Sequence, residues 1–205
     1  MSQISGVIIA LNEERLIQRA VRNMRPWVDE LIVLDGGSTD RTVQKAQAAG
    51  ALPFYRRFNR DFGDQKSFAI SLCTSPWIFL LDADETCEES IWRGLRELSL
   101  SKDNVDIFGF SRKNTYSDDE EPTPSLGLVN WPDVQFRFFR DYVRFQGSLH
   151  ESPVGWRKAH HFLDRSIIHH KARSRQKRED DLYFSMRPQD YPERLARGEV
   201  PSLAA

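Results

Sequence analysis

Residues Trp77 to Glu85 read WIFLLDADE, an apolar run that ends in two carboxylates, Asp82 and Asp84, placed two positions apart. A short apolar run of this kind is typical of a strand buried on both faces of a sheet. Carboxylates two apart just beyond such a strand reach a common point if the chain turns there. Mg²⁺ and Mn²⁺ are often held by one or two carboxylates together with substrate phosphates. Because a lone D-x-D occurs by chance in many chains, its meaning depends on the sequence around it.

Three further strand–helix units precede this stretch. The predicted strands are Ile4–Ala10, Glu30–Asp35, Ala51–Arg56 and Trp77–Leu81, and the predicted helices begin near Asn12, Asp40, Asp64 and Glu88. We expect Asn12 to cap the first helix, because asparagine is a good N-cap residue. Strands and helices alternating in this way predict an α/β fold with a mostly parallel central sheet flanked by helices. The 205 residues suffice for one such domain.

Beyond Asp103 the pattern loosens and predicts a mixed C-terminal part. Further strands are predicted at 105–112, 134–140, 144–146 and 161–169, the last interrupted by a turn-like Leu163-Asp164-Arg165. From Lys177 onward, one helix-like piece precedes a segment with several prolines, which predicts a poorly ordered tail.

Composition and charge exclude several classes of protein. The formal net charge is −1, so the chain as a whole is not an electrostatic nucleic-acid binder. The two cysteines, Cys73 and Cys87, have no zinc-site spacing and form no disulfide framework, which predicts a reducing cytosol. No apolar run approaches the ~20 residues that cross a bilayer. We therefore expect a cytoplasmic protein.

Positive charge is concentrated between Arg157 and Arg178, where eight Lys or Arg residues accompany a single acid, Asp164. One interpretation is a solvated surface, and the other is a patch that binds phosphates or anionic lipid. The second would place the protein peripherally at the inner face of a membrane. The composition leaves both open.

The polar residues that follow the predicted strands indicate where a ligand would bind, since ligands of open parallel sheets lie outside the carboxyl ends of the strands. Two interpretations of the D-x-D compete. The string Asp82 to Thr86 fits the D-x-D-x-T of haloacid-dehalogenase-like phosphatases, in which the first aspartate is a nucleophile. That motif normally follows the first strand of its domain, whereas three strand–helix units precede this one. The other interpretation is a metal–diphosphate site.

Four segments in order resemble glycosyltransferase family 2. They are ISGVIIALNEE (4–14), ELIVLDGGSTDRT (30–42), FGDQK (62–66) and WIFLLDADE (77–85). Order and spacing agree over residues 3–98, and a weaker likeness continues to His170. The resemblance implies a GT-A fold in a single domain, residues 1–176. Within it, residues 1–103 would bind the nucleotide sugar and 104–176 the acceptor, and 177–205 would form a helix and tail.

The resemblance implies a donor site at the carboxyl ends of the first strands, with a divalent metal, Mg²⁺ or Mn²⁺, beside it. The implied residues are Ala10, Asn12 and Glu13 around the nucleoside, Asp35 at the base, Lys66 at the diphosphate, Asp82 at the ribose and Asp84 on the metal. A carboxylate such as Asp35 accepts hydrogen bonds from an imide N–H or a ribose hydroxyl. Ser67 departs from the asparagine that relatives often carry next to the lysine.

The second half of the chain supplies candidates for the acceptor side. FQGSLHE (145–151) resembles an F-x-G-x-x-H-E stretch of one branch of the family, which makes Glu151 the general-base candidate. A structural salt bridge is the alternative for Glu151. His150 would orient it, bind phosphate or be structural. His169 and His170 stand where relatives often carry a histidine that reaches the metal or diphosphate. Only one of them can point inward, and the register favours His169. Arg137 and Arg140, on the predicted strand 134–140, are candidate pocket or surface cations.

These features predict a metal-dependent hexosyltransferase that moves a sugar from a nucleotide diphosphate to a hydroxyl of a glycan or lipid-linked acceptor. The resemblance further implies inversion of the anomeric centre and a UDP-sugar as the donor. The acceptor would enter over residues 117–133. The style of the motifs resembles bacterial lipopolysaccharide-core and other cell-surface glycosyltransferases. A phosphatase using Asp82, a non-catalytic nucleotide-sugar-binding relative and an anionic-surface binder remain as alternatives.

Overall fold

Apolar strands alternate with helices through the first hundred residues, as the sequence predicts. The fold is taken from a computed structural model, which describes residues 3–115, 123–124, 133–171, 181–190 and 197. The strands are β1 (Ile4–Ala10), β2 (Glu30–Asp35), β3 (Leu52–Tyr55), β4 (Trp77–Asp82), β5 (Glu85–Cys87), β6 (Ile107–Thr115), β7 (Thr123–Pro124), β8 (Val134–Arg140), β9 (Arg144–Gln146), β10 (Ser152–Val154) and β11 (Ala159–His170). The helices are α1 (Ile17–Met24), α2 (Thr42–Ala48), α3 (Phe62–Ser71) and α4 (Glu89–Leu100), with 3₁₀ turns at Arg25–Trp27 and Pro188–Asp190.

Nine of these strands form one sheet, in the order β3-β2-β1-β4-β8-β6-β11-β5, with β7 paired to β6. Strands β3, β2, β1 and β4 are parallel. In their register Ala10 lies opposite Asp35, and Ile9 lies opposite Asp82. The polar residues predicted at separate strand ends are therefore neighbours along one edge, the edge at which such sheets bind ligands.

The second half of the sheet is mixed, as predicted. Strand β8 is antiparallel to β4 and β6, while β11 is parallel to β6 and antiparallel to β5. The short strands β5 and β10 have too few residues to display a period, and the sequence does not predict them. The interruption expected at Leu163-Asp164-Arg165 is present, but as a bulge and not as a turn: β11 continues through these residues, and its register against β6 shifts between Phe162 and Ser166.

The parallel strands β1, β2 and β4 are buried on both faces, which explains why their sequences are nearly continuous apolar runs, whereas the edge strand β3 is mostly exposed. Neighbouring residues of β4 enter different clusters: Trp77 and Phe79 pack with residues of α1 and α4, whereas Ile78 packs with residues of α3. All three side chains are at most 1% exposed. Full burial of one such apolar side chain contributes about 1.5–3 kcal/mol to stability.

The predicted start of the first helix is wrong. α1 begins at Ile17, and its N-cap residue is Leu16, which makes no capping hydrogen bond with its side chain. Asn12 has a φ of 57° and its side-chain oxygen accepts a hydrogen bond from Thr39 N at 2.8 Å. The asparagine is therefore used to join two loops, and this is why it does not cap the helix.

A hairpin made of β9 and β10 is docked on the N-terminus of α3. The backbone N–H groups of Phe62 and Gly63 donate to the carbonyls of Ser148 and Gly147, each at 3.1 Å. A Cβ built on Gly63 would come within 2.8–2.9 Å of backbone atoms of the hairpin. The absence of a side chain at Gly63 therefore sets how closely the hairpin approaches the helix.

Several predicted features lie wholly or partly outside the described residues. One is the loop 117–133, over which the acceptor is predicted to enter and of which only Asp133 and the backbone of 123–124 are described. The others are residues 172–178 of the basic stretch and most of the tail. Within the tail, residues 181–186 are helical. The boundary at residue 176 stays a prediction. In the part of the chain that the structure describes, no helix is both long enough and apolar enough to span a membrane.

Gly63→Ala should lower the free energy of unfolding by about 1–3 kcal/mol, because backbone has to move to admit the methyl group. Gly94→Ala is the matched control, since Gly94 is also in a helix and its added Cβ would meet only the end of the Arg165 side chain, at 2.7 Å. Urea unfolding of both variants measures the difference. Equal stability of the two would contradict the role given to Gly63.

Candidate active site

The turn after β2 is organised by Asp35. Its side chain is buried, and one carboxylate oxygen accepts hydrogen bonds from Gly37 N and Ser38 N, each at 3.0 Å. Gly37 has a φ of 112°, a conformation that L side chains rarely adopt. On the neighbouring strand β1, the carbonyl oxygen of Ala10 accepts a hydrogen bond from Gly36 N at 2.8 Å. The predicted nucleoside residues Ala10 and Asp35 are thus adjacent.

The loop after β1 is bonded to the loop after β2. Asn12 N donates to Ser38 Oγ at 2.8 Å, and Glu13 N donates to Thr42 Oγ1 at 2.7 Å. Together with the bond from Thr39 N to Asn12, these contacts hold the two loops side by side. The structure brings Asn12 and Glu13 to the same edge as Asp35, and what they bind stays a prediction.

Lys66 lies at the centre of the second part of the site. Its side chain is 2% exposed, and Nζ lies 3.0 Å from Asp82 Oδ1 and 2.5 Å from Glu151 Oε1. The other oxygen of Asp82 accepts a hydrogen bond from Arg137 Nη2 at 2.7 Å. In this state Glu151 is in an ion pair, which is the alternative that the sequence left open for it. One ammonium thus contacts both a donor-side and an acceptor-side candidate.

The charged groups of this cluster stabilise one another in their ionised forms. Burial disfavours the charged form of Lys66, but attraction to Asp82 and Glu151 outweighs it and raises the pKa of the lysine. Burial likewise opposes ionisation of Asp82, yet Arg137 and Lys66 hold the pKa of this carboxyl far below its usual range. Asp82 is therefore a carboxylate at neutral pH, and each of its two oxygens contacts a buried cation.

Two further residues belong to this cluster: Glu85, which the sequence does not single out, and Arg137, which it indicates only as a pocket or surface cation. Their side chains are 1% and 3% exposed, and Arg137 Nη2 also donates to Glu85 Oε1 at 2.8 Å. The other oxygen of Glu85 accepts a hydrogen bond from Asp82 N at 3.1 Å. Among the described residues, Arg137 Nε finds no hydrogen-bond partner. The signal in the sequence was an arginine within the apolar strand QFRFF.

Asp84, the second carboxylate of the D-x-D, has different surroundings. His169 Nε2 lies 3.3 Å from Asp84 Oδ2, and His169 Nδ1 lies 3.2 Å from Asn114 Oδ1. Because the amide oxygen of Asn114 accepts, Nδ1 is assigned as the donor. Burial disfavours the imidazolium, but the contact with Asp84 outweighs it and raises the pKa of His169. His169, which the sequence favours over His170, is thus the histidine that lies beside Asp84.

The two other candidate histidines lie elsewhere. His170 Nδ1 is 2.9 Å from Arg19 Nη1 and its Nε2 is 2.8 Å from Thr86 Oγ1, so both ring nitrogens have protein partners. His150 is exposed, has a φ of 55° and adjoins Glu151 in the loop that joins β9 to β10. Strand alternation separates His169 from His170, as expected.

Asp84 and His169 fit a divalent ion that substrate phosphates help to hold. Within the described ranges there is no group of three His, Cys, Asp or Glu residues that could form a metal site by protein ligands alone. Mg²⁺ and Mn²⁺ commonly use one or two carboxylates and take other ligands from water and phosphates. A ligating histidine usually donates its second nitrogen to another residue, as His169 does to Asn114.

In metal-free protein, the pair of His169 and Asp84 should stabilise the fold most in mildly acidic solution. A histidine whose folded-state pKa is raised contributes its full stabilisation below about pH 6.5, and the contribution is lost as the pH rises through the raised pKa. The destabilisation caused by Asp84→Asn, measured by urea unfolding in EDTA, should therefore shrink as the pH rises. Asp141→Asn, at an exposed position, is the control. A pH-independent loss in Asp84→Asn would contradict this pairing.

The chain is 35% identical over 139 residues to a TPR repeat-containing protein of Synechococcus elongatus, covering 67% of this chain and 34% of that protein. It is 40% identical over 157 residues to an uncharacterized glycosyltransferase of Rickettsia prowazekii, covering 75% and 53%. It is 32% identical over 106 residues to the lipopolysaccharide core biosynthesis glycosyltransferase LpsC of Rhizobium meliloti, covering 50% and 39%. The chain thus spans between about a third and about half of these relatives.

A solved structure with partial likeness is glucosyl-3-phosphoglycerate synthase from Mycobacterium tuberculosis, in complex with Mg²⁺ and uridine diphosphate. The TM-score is 0.49 at 26% identity, over 54% of this chain and 44% of that one.

The sequence model of Glycosyl transferase family 2 matches residues 5–170. This range runs from β1 to the end of β11 and contains all but one residue of the first strand together with both carboxylates of the D-x-D. It favours the transferase interpretation of Asp82 and Asp84 over the phosphatase one. The chain therefore belongs to glycosyltransferase family 2 and has the GT-A fold.

Proposed function

We propose that the chain transfers a sugar from a nucleotide diphosphate to an acceptor hydroxyl, with a UDP-sugar as the first donor to test. The observation that carries the proposal is the position of Lys66, whose buried ammonium contacts Asp82 and Glu151 at once. Asp82 is the last residue of β4, at the predicted donor side of the sheet, and Glu151 belongs to the second half of the chain. The donor side and the acceptor side of the proposed site are thus both in contact with the ammonium of Lys66.

Donor binding uses the two bonded loops and the D-x-D turn. Asp35 accepts from the imide N–H of a uracil or from a ribose hydroxyl, and Gly36-Gly37 lets the backbone approach the nucleoside closely. Lys66 binds the diphosphate. Asp84 and His169 would hold a divalent ion, and that ion would supply positive charge against the charge that develops on the leaving nucleotide diphosphate.

Glu151 then acts as the general base. It accepts the proton of the acceptor hydroxyl while that oxygen forms a bond to the anomeric carbon and the bond to the diphosphate breaks. A single displacement of this kind inverts the anomeric centre. Because Lys66 is held by Glu151 before the donor binds, a diphosphate competes for the same ammonium and releases the carboxylate for the acceptor.

The acceptor is a cell-surface glycan or a lipid-linked precursor of one. The similarity to the Rhizobium meliloti lipopolysaccharide core enzyme supports this class of acceptor. Arg157 and Lys158 are exposed at the start of the basic stretch, and their contact with an anionic membrane surface stays a prediction. A non-catalytic relative would bind the donor and transfer nothing, so turnover separates the two possibilities.

A nucleoside diphosphate should raise the melting temperature of the wild type in Mn²⁺, by roughly 5 °C or more at a hundredfold excess over Kd. UDP, ADP, GDP and CDP are compared, each with and without Mn²⁺. Asp84→Ala should abolish the part of the shift that depends on Mn²⁺, and Asp141→Ala, at an exposed position, should keep it. The donor site is wrong if none of the four stabilises the wild type.

Glu151→Gln should reduce sugar transfer by about 10²- to 10⁴-fold, the usual contribution of a general base. Binding of the nucleoside diphosphate should be unchanged or tighter, because Lys66 loses a competing charge. Product formation is measured by mass spectrometry with candidate acceptors, and Glu97→Gln on the exposed face of α4 is the control. Full activity of Glu151→Gln would remove Glu151 from the mechanism. Wild-type protein that binds a donor and transfers it to no acceptor would support the non-catalytic alternative.

A further inference from the structure

Strand β8 carries a β-bulge at Arg137. Against β6, Phe138 pairs with Phe108 and Phe136 pairs with Gly109, so Arg137 is an extra residue with no partner on that strand. Pairing of β8 with β4 ends at Phe138 and does not reach it either. Bulges frequently occur beside active sites, where they redirect a side chain. Here the bulge lies next to the D-x-D turn.

The redirected side chain is held at a fixed place by two carboxylates. Arg137 Nη2 donates to Asp82 Oδ2 at 2.7 Å and to Glu85 Oε1 at 2.8 Å. Glu85 in turn accepts from the backbone N–H of Asp82 at 3.1 Å. Both the side chain and the backbone of Asp82 are therefore fixed by the same buried pair.

Stability alone does not account for this pair. Replacing a buried ion pair by apolar residues is often neutral or stabilising, whereas removing one partner alone is strongly destabilising. Arg137 and Lys66 each contact two carboxylates, and they share Asp82. They differ in the second partner: that of Arg137 is Glu85, in the same turn as Asp82, whereas that of Lys66 is Glu151, from the second half of the chain.

We propose that Arg137 is a positioning residue that orients Asp82 toward the ribose of the donor. This inference rests on the proposed function. In the ligand-free chain both oxygens of Asp82 are taken, one by each cation. When Lys66 moves to the diphosphate, Asp82 Oδ1 becomes available to accept a hydrogen bond from the ribose, and Arg137 keeps Oδ2 in place.

The test compares two nucleotides on a charge-balanced variant. E85Q/R137M removes the pair without leaving a lone buried charge, and a glutamine oxygen can still accept from Asp82 N. The control is D29N/R96M, which removes an Arg–carboxylate pair with N–O distances of 2.9 and 3.0 Å away from the site. Isothermal titration in Mn²⁺ measures Kd for UDP and for 2′,3′-dideoxy-UDP, which lacks the ribose hydroxyls.

In the wild type and in the control, UDP should bind about tenfold more tightly than dideoxy-UDP, the size expected of one hydrogen bond to a charged group. In E85Q/R137M this ratio should fall to about threefold or less. A merely structural role would weaken both nucleotides equally and leave the ratio unchanged. An unchanged ratio would therefore overturn the proposal.

A ligand-free crystal structure of E85Q/R137M gives a second, independent readout. The Asp82 carboxylate should turn away from the position that it has beside Arg137, and an unmoved carboxylate would contradict the proposal. If the wild type binds no UDP, the proposed donor is wrong, and the crystal structure still decides whether Arg137 positions Asp82. Failure of the donor and failure of the positioning role are thus distinguishable.

Discussion

The ion pairs of Lys66 are the interaction on which the rest of the site depends. A buried ammonium is costly unless carboxylates compensate it, and here one comes from the end of β4 and the other from the loop between β9 and β10. The docking of that hairpin on α3 brings Glu151 within reach. The same helix that carries Lys66 also contributes Ser67, whose hydroxyl bonds both the N–H and the carbonyl of Phe145. Helix, hairpin and D-x-D turn are therefore positioned as one unit.

Most of the first half of the fold could be predicted because its longer strands and helices carry apolar runs or apolar stripes, whereas the three-residue strand β5 carries neither. The bounds of β1 and β2 agree with the sequence, since both are apolar runs that stop at polar residues. Prediction failed where a residue type suits two structural roles. Asn12 suits a helix cap, yet its side chain joins two loops that are distant in sequence. Residues 163–165 look like a turn, but pairing with β6 continues on both sides of them.

The site could be predicted only as far as its motifs extend. The D-x-D and the preference for His169 over His170 come from spacing and alternation, and the structure brings Asp84 and His169 together. Glu85 was missed and Arg137 was left as either a pocket or a surface cation, because the sheet order and a bulge bring their partners together and neither leaves a periodic pattern in the sequence. Nor could the sequence indicate that Glu151 is paired with Lys66, 85 positions away.

A crystal structure of the chain with UDP and Mn²⁺ would show whether Lys66 links the donor and acceptor halves. We expect a diphosphate oxygen within hydrogen-bonding distance of Lys66 Nζ, with Glu151 released from the ammonium and the metal on Asp84. If UDP were bound while Lys66 still bridged Asp82 and Glu151, with the diphosphate elsewhere, this role of Lys66 would be contradicted.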